Sequence, residues 1–185
     1  MTTAGSCTVI DGSDAGWGFR ADIQLLRKKK EGEEKSHYMH FDGNSLKANG
    51  PDAKNGIFRI HEVTDSDQKI IVILEHIKSQ GVVTINTKDD TVMAVDKEND
   101  TVTLKNPPVD LRQIIDKNGS IDKSHPEILF HKIWEKGGTG YFYLKSLKND
   151  KIVGFNENGE LKTTTVAGPE SLFKTESVDL CKKEH

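Results

Sequence analysis

The sequence predicts an all-β domain of pseudo-threefold build, and three observations point there. Short apolar segments of four to eight residues recur along the chain, each bounded by Asn, Asp, Gly or Pro, which is the pattern of many strands joined by tight polar turns. Helical periodicity is nearly absent. The chain also repeats itself. Gly81-Val82-Val83-Thr84-Ile85, a Lys/Asp turn and Val92-Met93-Ala94-Val95 have a counterpart 59 positions later in Gly140-Tyr141-Phe142-Tyr143-Leu144, another polar turn and Ile152-Val153-Gly154-Phe155. A period near one third of 185 residues fits a threefold architecture better than a two-sheet sandwich.

Taken in order, the predicted strands are Phe19 to Leu26, His37 to Phe41, Ser45 to Ala48, Ile57 to Val63, Ile70 to Leu74, Val82 to Ile85, Thr91 to Val95 and Thr101 to Leu104. They continue with Ile128 to Trp134, Tyr141 to Leu144, Lys151 to Phe155, Leu161 to Thr165 and Ser171 to Thr175. Ile57 to Val63 alternates, with its apolar residues denser on one face. Ile70 to Leu74 is uninterruptedly apolar, as expected of a strand buried on both faces. Ahead of each repeat copy stands an apolar run, Ile70 to Leu74 and Ile128 to Phe130. The one helical signal is Asp110 to Lys117, an acid followed by Leu111, Ile114 and Ile115 at helical spacing. It lies in a long connection, Asn106 to His125, and connections of that length in compact domains are usually functional or mobile.

Composition bounds the function. A length of 185 residues suggests one domain, with 1–16 a flexible leader or short pro-segment, 17–180 the folded body and 181–185 a tail. A net charge of -3 predicts no general attraction to nucleic acid or anionic membrane. No apolar run approaches the ~20 residues of a membrane span, and Met1 to Cys7 lacks the basic and apolar regions of a secretory signal. Cys7 and Cys181 are either two thiols in a reducing compartment or a disulfide tying the ends.

Catalytic constellations are missing, so no enzyme activity and no cofactor are expected. Gly137-Gly138-Thr139-Gly140 leads into a strand and not a helix, which makes it a hairpin turn and not a phosphate loop. No serine occupies a Gly-x-Ser-x-Gly elbow. His37 and His40 fall on opposite faces of a strand and share no metal. Lys28, Lys29, Lys30 and Lys35 alternate with Glu31, Glu33 and Glu34, the pattern of a solvated loop of mixed charge.

The segments from Ile57 onward resemble the interleukin-1 superfamily of cytokines, in particular its interleukin-18 branch. Phe58-Arg59-Ile60-His61-Glu62-Val63-Thr64-Asp65-Ser66-Asp67 resembles the strand and acidic turn that precede the family's fourth strand, Ile70 to Lys78 the fourth strand and Val82 to Ile85 the fifth. Thr101 to Leu104 with Asn106-Pro107-Pro108 resembles the seventh strand and its exit, Glu127 to His131 the eighth, and Ser171 to Thr175 the closing strand with its buried phenylalanine. About two thirds of the chain is covered.

The resemblance implies a β-trefoil of twelve strands. It further implies an extracellular, monomeric ligand of immunoglobulin-like receptors in immune and inflammatory responses, made as a leaderless cytoplasmic precursor and secreted unconventionally. Interleukin-18-type receptor chains, a soluble binding protein and a processing caspase are the implied partners. Asp14, before Ala15-Gly16, is the favoured processing site, Asp11 the next, and Asp42 a third that would remove the first strand. Val63, Asp65 and Asp67 align with the receptor-facing loop. Those acids either pair with receptor Lys or Arg or brace an Asx turn. Two other readings stay open. A fibroblast-growth-factor-like trefoil needs a dense basic cluster, and Arg27 to Lys30 has acids directly behind it. An intracellular scaffolding trefoil needs no secretion. Lectin-type trefoils repeat an aromatic in each third, which Trp17 and Trp134 do not do.

Overall fold

The computed structural model describes residues 19–52, 54–77, 91–96, 98, 100–115 and 120–178. Among them twelve strands appear: β1 (Phe19–Arg27), β2 (Tyr38–Phe41), β3 (Leu46–Gly50), β4 (Ile57–Thr64), β5 (Ile70–His76), β6 (Thr91–Val95), β7 (Val102–Lys105), β8 (Phe130–Trp134), β9 (Phe142–Ser146), β10 (Ile152–Phe155), β11 (Leu161–Thr164) and β12 (Phe173–Ser177). Six of them close on themselves in the cyclic order β1, β4, β5, β8, β9, β12, every neighbouring pair antiparallel. Closure removes the free edges an open sheet would present. The seam joins the first strand to the last, with Ile23 opposite Ser177 and Arg27 opposite Phe173.

The other six strands form three hairpins, β2–β3, β6–β7 and β10–β11. Their outer strands meet. Lys47 bridges to Glu160 and Thr101 to Lys162. The amide of Ala48 donates to the carbonyl of Gly159 at 2.7 Å, and that of Thr163 to the carbonyl of Asp100 at 2.7 Å. A six-stranded barrel with three such hairpins is a β-trefoil, whose thirds run β1–β4, β5–β8 and β9–β12.

Alternation on the barrel strands fills the interior. Ile23, Leu25, Phe58, Ile60, Val72, Leu74, Phe130, Phe142, Leu144 and Phe173 pack with Met39, Leu46, Met93, Val95, Val153, Phe155 and Leu161 from the hairpins. A second apolar cluster lies outside the barrel wall. There Val63, Ile71 and Ile73 turn away from the interior and meet Val92, Ala94, Leu111, Ile114, Ile115, Ile128 and Leu129. The long connection is therefore a structural cover. Its helix, α1 (Leu111–Ile114), starts at Asp110, whose side chain accepts from the amide of Arg112, and it buries Leu111 and Ile114.

Several expectations are corrected. Ile70–His76 is the fifth strand and not the fourth, because the first third already holds four. By position in the thirds, the counterpart of β9 is β5, so Gly140 to Leu144 answers Ile70–His76 and not Gly81 to Ile85, and the run Ile128 to Phe130 does not repeat Ile70 to Leu74; β6 and β10 are counterparts as the repeat indicated. Ile128 belongs to a 3-10 turn, Pro126–Ile128, and β8 begins at Phe130. Proline at the first helical position favours that turn. Both faces of β4 are covered, including the one that carries polar residues. Arg59 and His61 are buried, Arg59 against Asp22 at 2.9 Å and His61 against Glu75 at 3.0 Å. Val82 to Ile85, Cys7, Cys181, Asp11, Asp14 and Trp17 lie outside the described residues.

Candidate functional site

The acidic turn sits between β4 and β5. The amide of Asp65 donates to the carbonyl of Lys69 at 2.9 Å, and that of Gln68 to the carbonyl of Asp65 at 3.0 Å. Gln68 takes a φ of +64° to close it. Asp65 builds the turn from within. Its Oδ1 accepts from the amides of Asp67 at 2.8 Å and Lys69 at 3.0 Å, the arrangement of an Asx turn. Its Oδ2 accepts from Nζ of Lys123 at 3.3 Å.

Burial works to raise the Asp65 carboxyl. The amide of Lys69, the ammonium of Lys123 and the amide of Asp67 outweigh it and hold the group below the ordinary carboxylate range.

The three predicted contact residues therefore occupy different places. Val63 is 3% exposed and belongs to the outer apolar cluster. Asp65 is 8% exposed, with its carboxylate already hydrogen-bonded. Asp67 is exposed, together with Thr64, Ser66, Gln68 and Lys69. Beside the turn lies a cleft of about 530 Å³, walled by Thr64, Asp65 and Ser66 on one side and by Ser120, Ile121, Asp122 and Lys123 on the other. The amide of Ser124 donates to Oδ1 of Asp122. His131 on β8 is near enough to feel the same charges. Burial pushes its imidazole down, and Lys69, Lys123 and Lys145 push it the same way against the pull of Asp65.

Sequence reasoning missed Lys123 and His131. Both come from the stretch after β7, and the Lys123 contact spans 58 positions, which no local pattern records.

Asn106 and Pro108 are exposed just beyond β7. Asp42 is an exposed brace of the β2–β3 turn, accepting from the amides of Asn44 and Ser45 and pairing with Lys47. Gly137, Gly138 and Gly140, with φ of +98°, +67° and +83°, form the β8–β9 hairpin. His37 and His40 have separate partners, Arg27 with Glu33 and Asn49 respectively. Among the described residues no three His, Cys, Asp or Glu side chains are placed to hold a metal ion, and no helix is long and apolar enough to cross a membrane.

Comparison with solved structures places this geometry among known folds. A designed threefold-symmetric protein, ThreeFoil, superposes with a TM-score of 0.54 at 9% identity, covering 85% of this chain and 99% of its own. The likeness is one of fold. The BEL β-trefoil in an apo crystal form gives 0.51 at 14% identity over 85% and 93% of the two chains. SeviL bound to asialo-GM1 saccharide gives 0.52 at 8% identity over 85% and 98%. No family model matches the sequence, and no curated protein matches it significantly.

Proposed function

We propose that the chain is a cytokine of interleukin-18 type, one that acts by being bound by immunoglobulin-like receptors of the interleukin-1 family and not by catalysis. One observation carries the reading. The segment resembling the family's receptor-facing acidic turn is the β4–β5 turn of a β-trefoil, with Asp67 outward and a cleft at its side. An exposed carboxylate at such a place sets orientation and association rate for a partner bearing Lys or Arg. The reading carries with it a monomeric ligand in inflammatory signalling, released unconventionally from a cytoplasmic precursor. A caspase acting at Asp14, or else at Asp11, and a soluble binding protein complete the partner set.

The test is a reporter cell carrying the interleukin-18-type receptor pair, set against the same cell without it. Response only in the first, lost on Asp67→Lys, supports the reading. Response in neither, with the protein folded, removes it and leaves the fibroblast-growth-factor-like and scaffolding readings that the same fold accommodates. Processing has its own check. Caspase digestion should remove a leader-sized mass from the wild type and not from Asp14→Ala, and an identical digest of the two discards Asp14.

A further inference from the structure

Four lysines from two ends of the chain gather near two aromatic rings, and of the three acids that follow the first three lysines Glu33 is drawn inward while Glu31 and Glu34 stay exposed. After β1 the chain runs through Lys28, Lys29 and Lys30 into Glu31, Glu33 and Glu34. Along the chain these charges cancel. In space Glu33 turns inward, its Oε1 accepting from Nη1 of Arg27 at 2.8 Å and from the amide of Lys30 at 2.6 Å. Arg27 is itself buried, its Nε donating to the carbonyl of Ala48 at 3.0 Å.

Two of the lysines end over aromatic rings. Nζ of Lys28 lies 5.4 Å from the centre of the Tyr141 ring. Nζ of Lys30 lies 5.6 Å from that of Phe155, and Nζ of Lys29 is 3.4 Å from the carbonyl of Glu34. A fourth ammonium arrives from the far end of the chain. Lys174, on β12, sits 5.5 Å from the centre of the same Tyr141 ring. Among the described residues none of the four has a carboxylate oxygen within 4.0 Å, and the Tyr141 hydroxyl has no hydrogen-bond partner. Two ammonium groups at one ring, neither paired with a carboxylate among the described residues, leave positive charge that an oxyanion can balance.

We propose that this face, carrying Lys28, Lys30, Tyr141 and Lys174, binds a sulfated polysaccharide. Ammonium groups are compact point charges that suit tetrahedral oxyanions, while planar fork-type recognition of carboxylates is the province of arginine. A phenol adds a neutral donor. Several separate cations reward a polymer of repeated charge through counterion release. Nucleic acid is disfavoured because a base needs an open aromatic platform, and the Tyr141 ring is engaged by two lysines. The proposal is independent of the receptor reading and holds whichever receptor, if any, the acidic turn meets.

The probe is immobilised heparin, with a sulfonate cation exchanger as reference. A chain of net charge -3 should leave the exchanger early and stay on heparin to clearly higher salt. Lys28→Gln with Lys174→Gln should lose that excess retention, and the slope of log affinity against log salt should fall by about two, one for each ammonium removed. Tyr141→Phe keeps the ring and should weaken binding with the slope unchanged. Lys54→Gln with Lys105→Gln, two exposed lysines elsewhere, should behave as wild type, and equal melting temperatures show that all variants are folded. Equal retention on both resins overturns the proposal, as does equal loss in both double variants. Tighter binding to a single-stranded oligonucleotide or to phosphatidylserine vesicles than to heparin also overturns it.

Discussion

The ammonium of Lys123 lies 3.3 Å from Oδ2 of Asp65, so a residue in the long connection after β7 pins the turn between β4 and β5. Asp65 and Asp67, two positions apart and alike in sequence, thereby stand in different surroundings, the one buried and bonded and the other exposed. Replacing Asp65 with Ala removes acceptors from two backbone amides and one ammonium in a buried place, and should cost about 1–3 kcal/mol. Replacing Asp67 with Lys should leave stability within about 0.5 kcal/mol and, on the proposed reading, weaken receptor binding. Urea denaturation of both variants checks this, and equal losses would mean that Asp67 also braces the turn.

The connection itself should matter to stability. Ile114 is buried against the outer wall of the barrel. Ile114→Ala should destabilise by about 2–5 kcal/mol, as for other large-to-small changes in a packed core. A loss under about 1 kcal/mol, measured by chemical unfolding, would mean that the segment lies loosely on the wall.

Acid should weaken the corner after β1. Hydrogen bonding to Arg27 is the largest influence on Glu33 and holds its carboxyl at about 2, down from 4.5. A carboxyl depressed in the folded state contributes stability that is fully present above its unfolded value and disappears as pH falls through the folded one. The wild type should therefore lose stability between about pH 4.5 and 2 relative to Glu33→Gln. The two curves should converge at the acid end and separate above it, as thermal melts across that range would show.

Two glycines of positive φ should respond differently to alanine. At Gly138 (φ +67°) an added Cβ meets nothing within 4 Å, whereas at Gly159 (φ +79°) it would stand 2.6 Å from Cβ of Asn49. Gly138→Ala should cost about 1–2 kcal/mol for the left-handed backbone alone. Gly159→Ala should cost more, because Gly159 also accepts from Ala48 and so joins the first hairpin to the third. A differential melt of the two variants settles the order.

Strands and turns were legible in the sequence because their signals are local. Alternation and breakers located every described strand to within a few residues, and the match of Val92–Val95 to Ile152–Phe155 exposed the threefold plan. Burial beyond the neighbouring residue was not legible. Nothing near Arg59 or His61 announces that their face of β4 is covered. Nothing near Asp65 announces Lys123, and nothing near Lys28 announces Lys174. The acidic turn was therefore located by position, while the burial of Asp65 and the exposure of Asp67 required the fold.

The seam between β1 and β12 bears on how the protein is made. On one flank Ile23 pairs with Phe58 of β4, but on the other its partner is Ser177, so the barrel cannot close until the chain as far as β12 has left the ribosome. Pairings of such sequence separation are slow to form, and growing chains order their early parts first. While synthesis proceeds, β1 has β4 to lean on but one flank unguarded. The nascent protein thus passes through a stage of vulnerability to chaperone capture or mispairing that the finished molecule no longer shows.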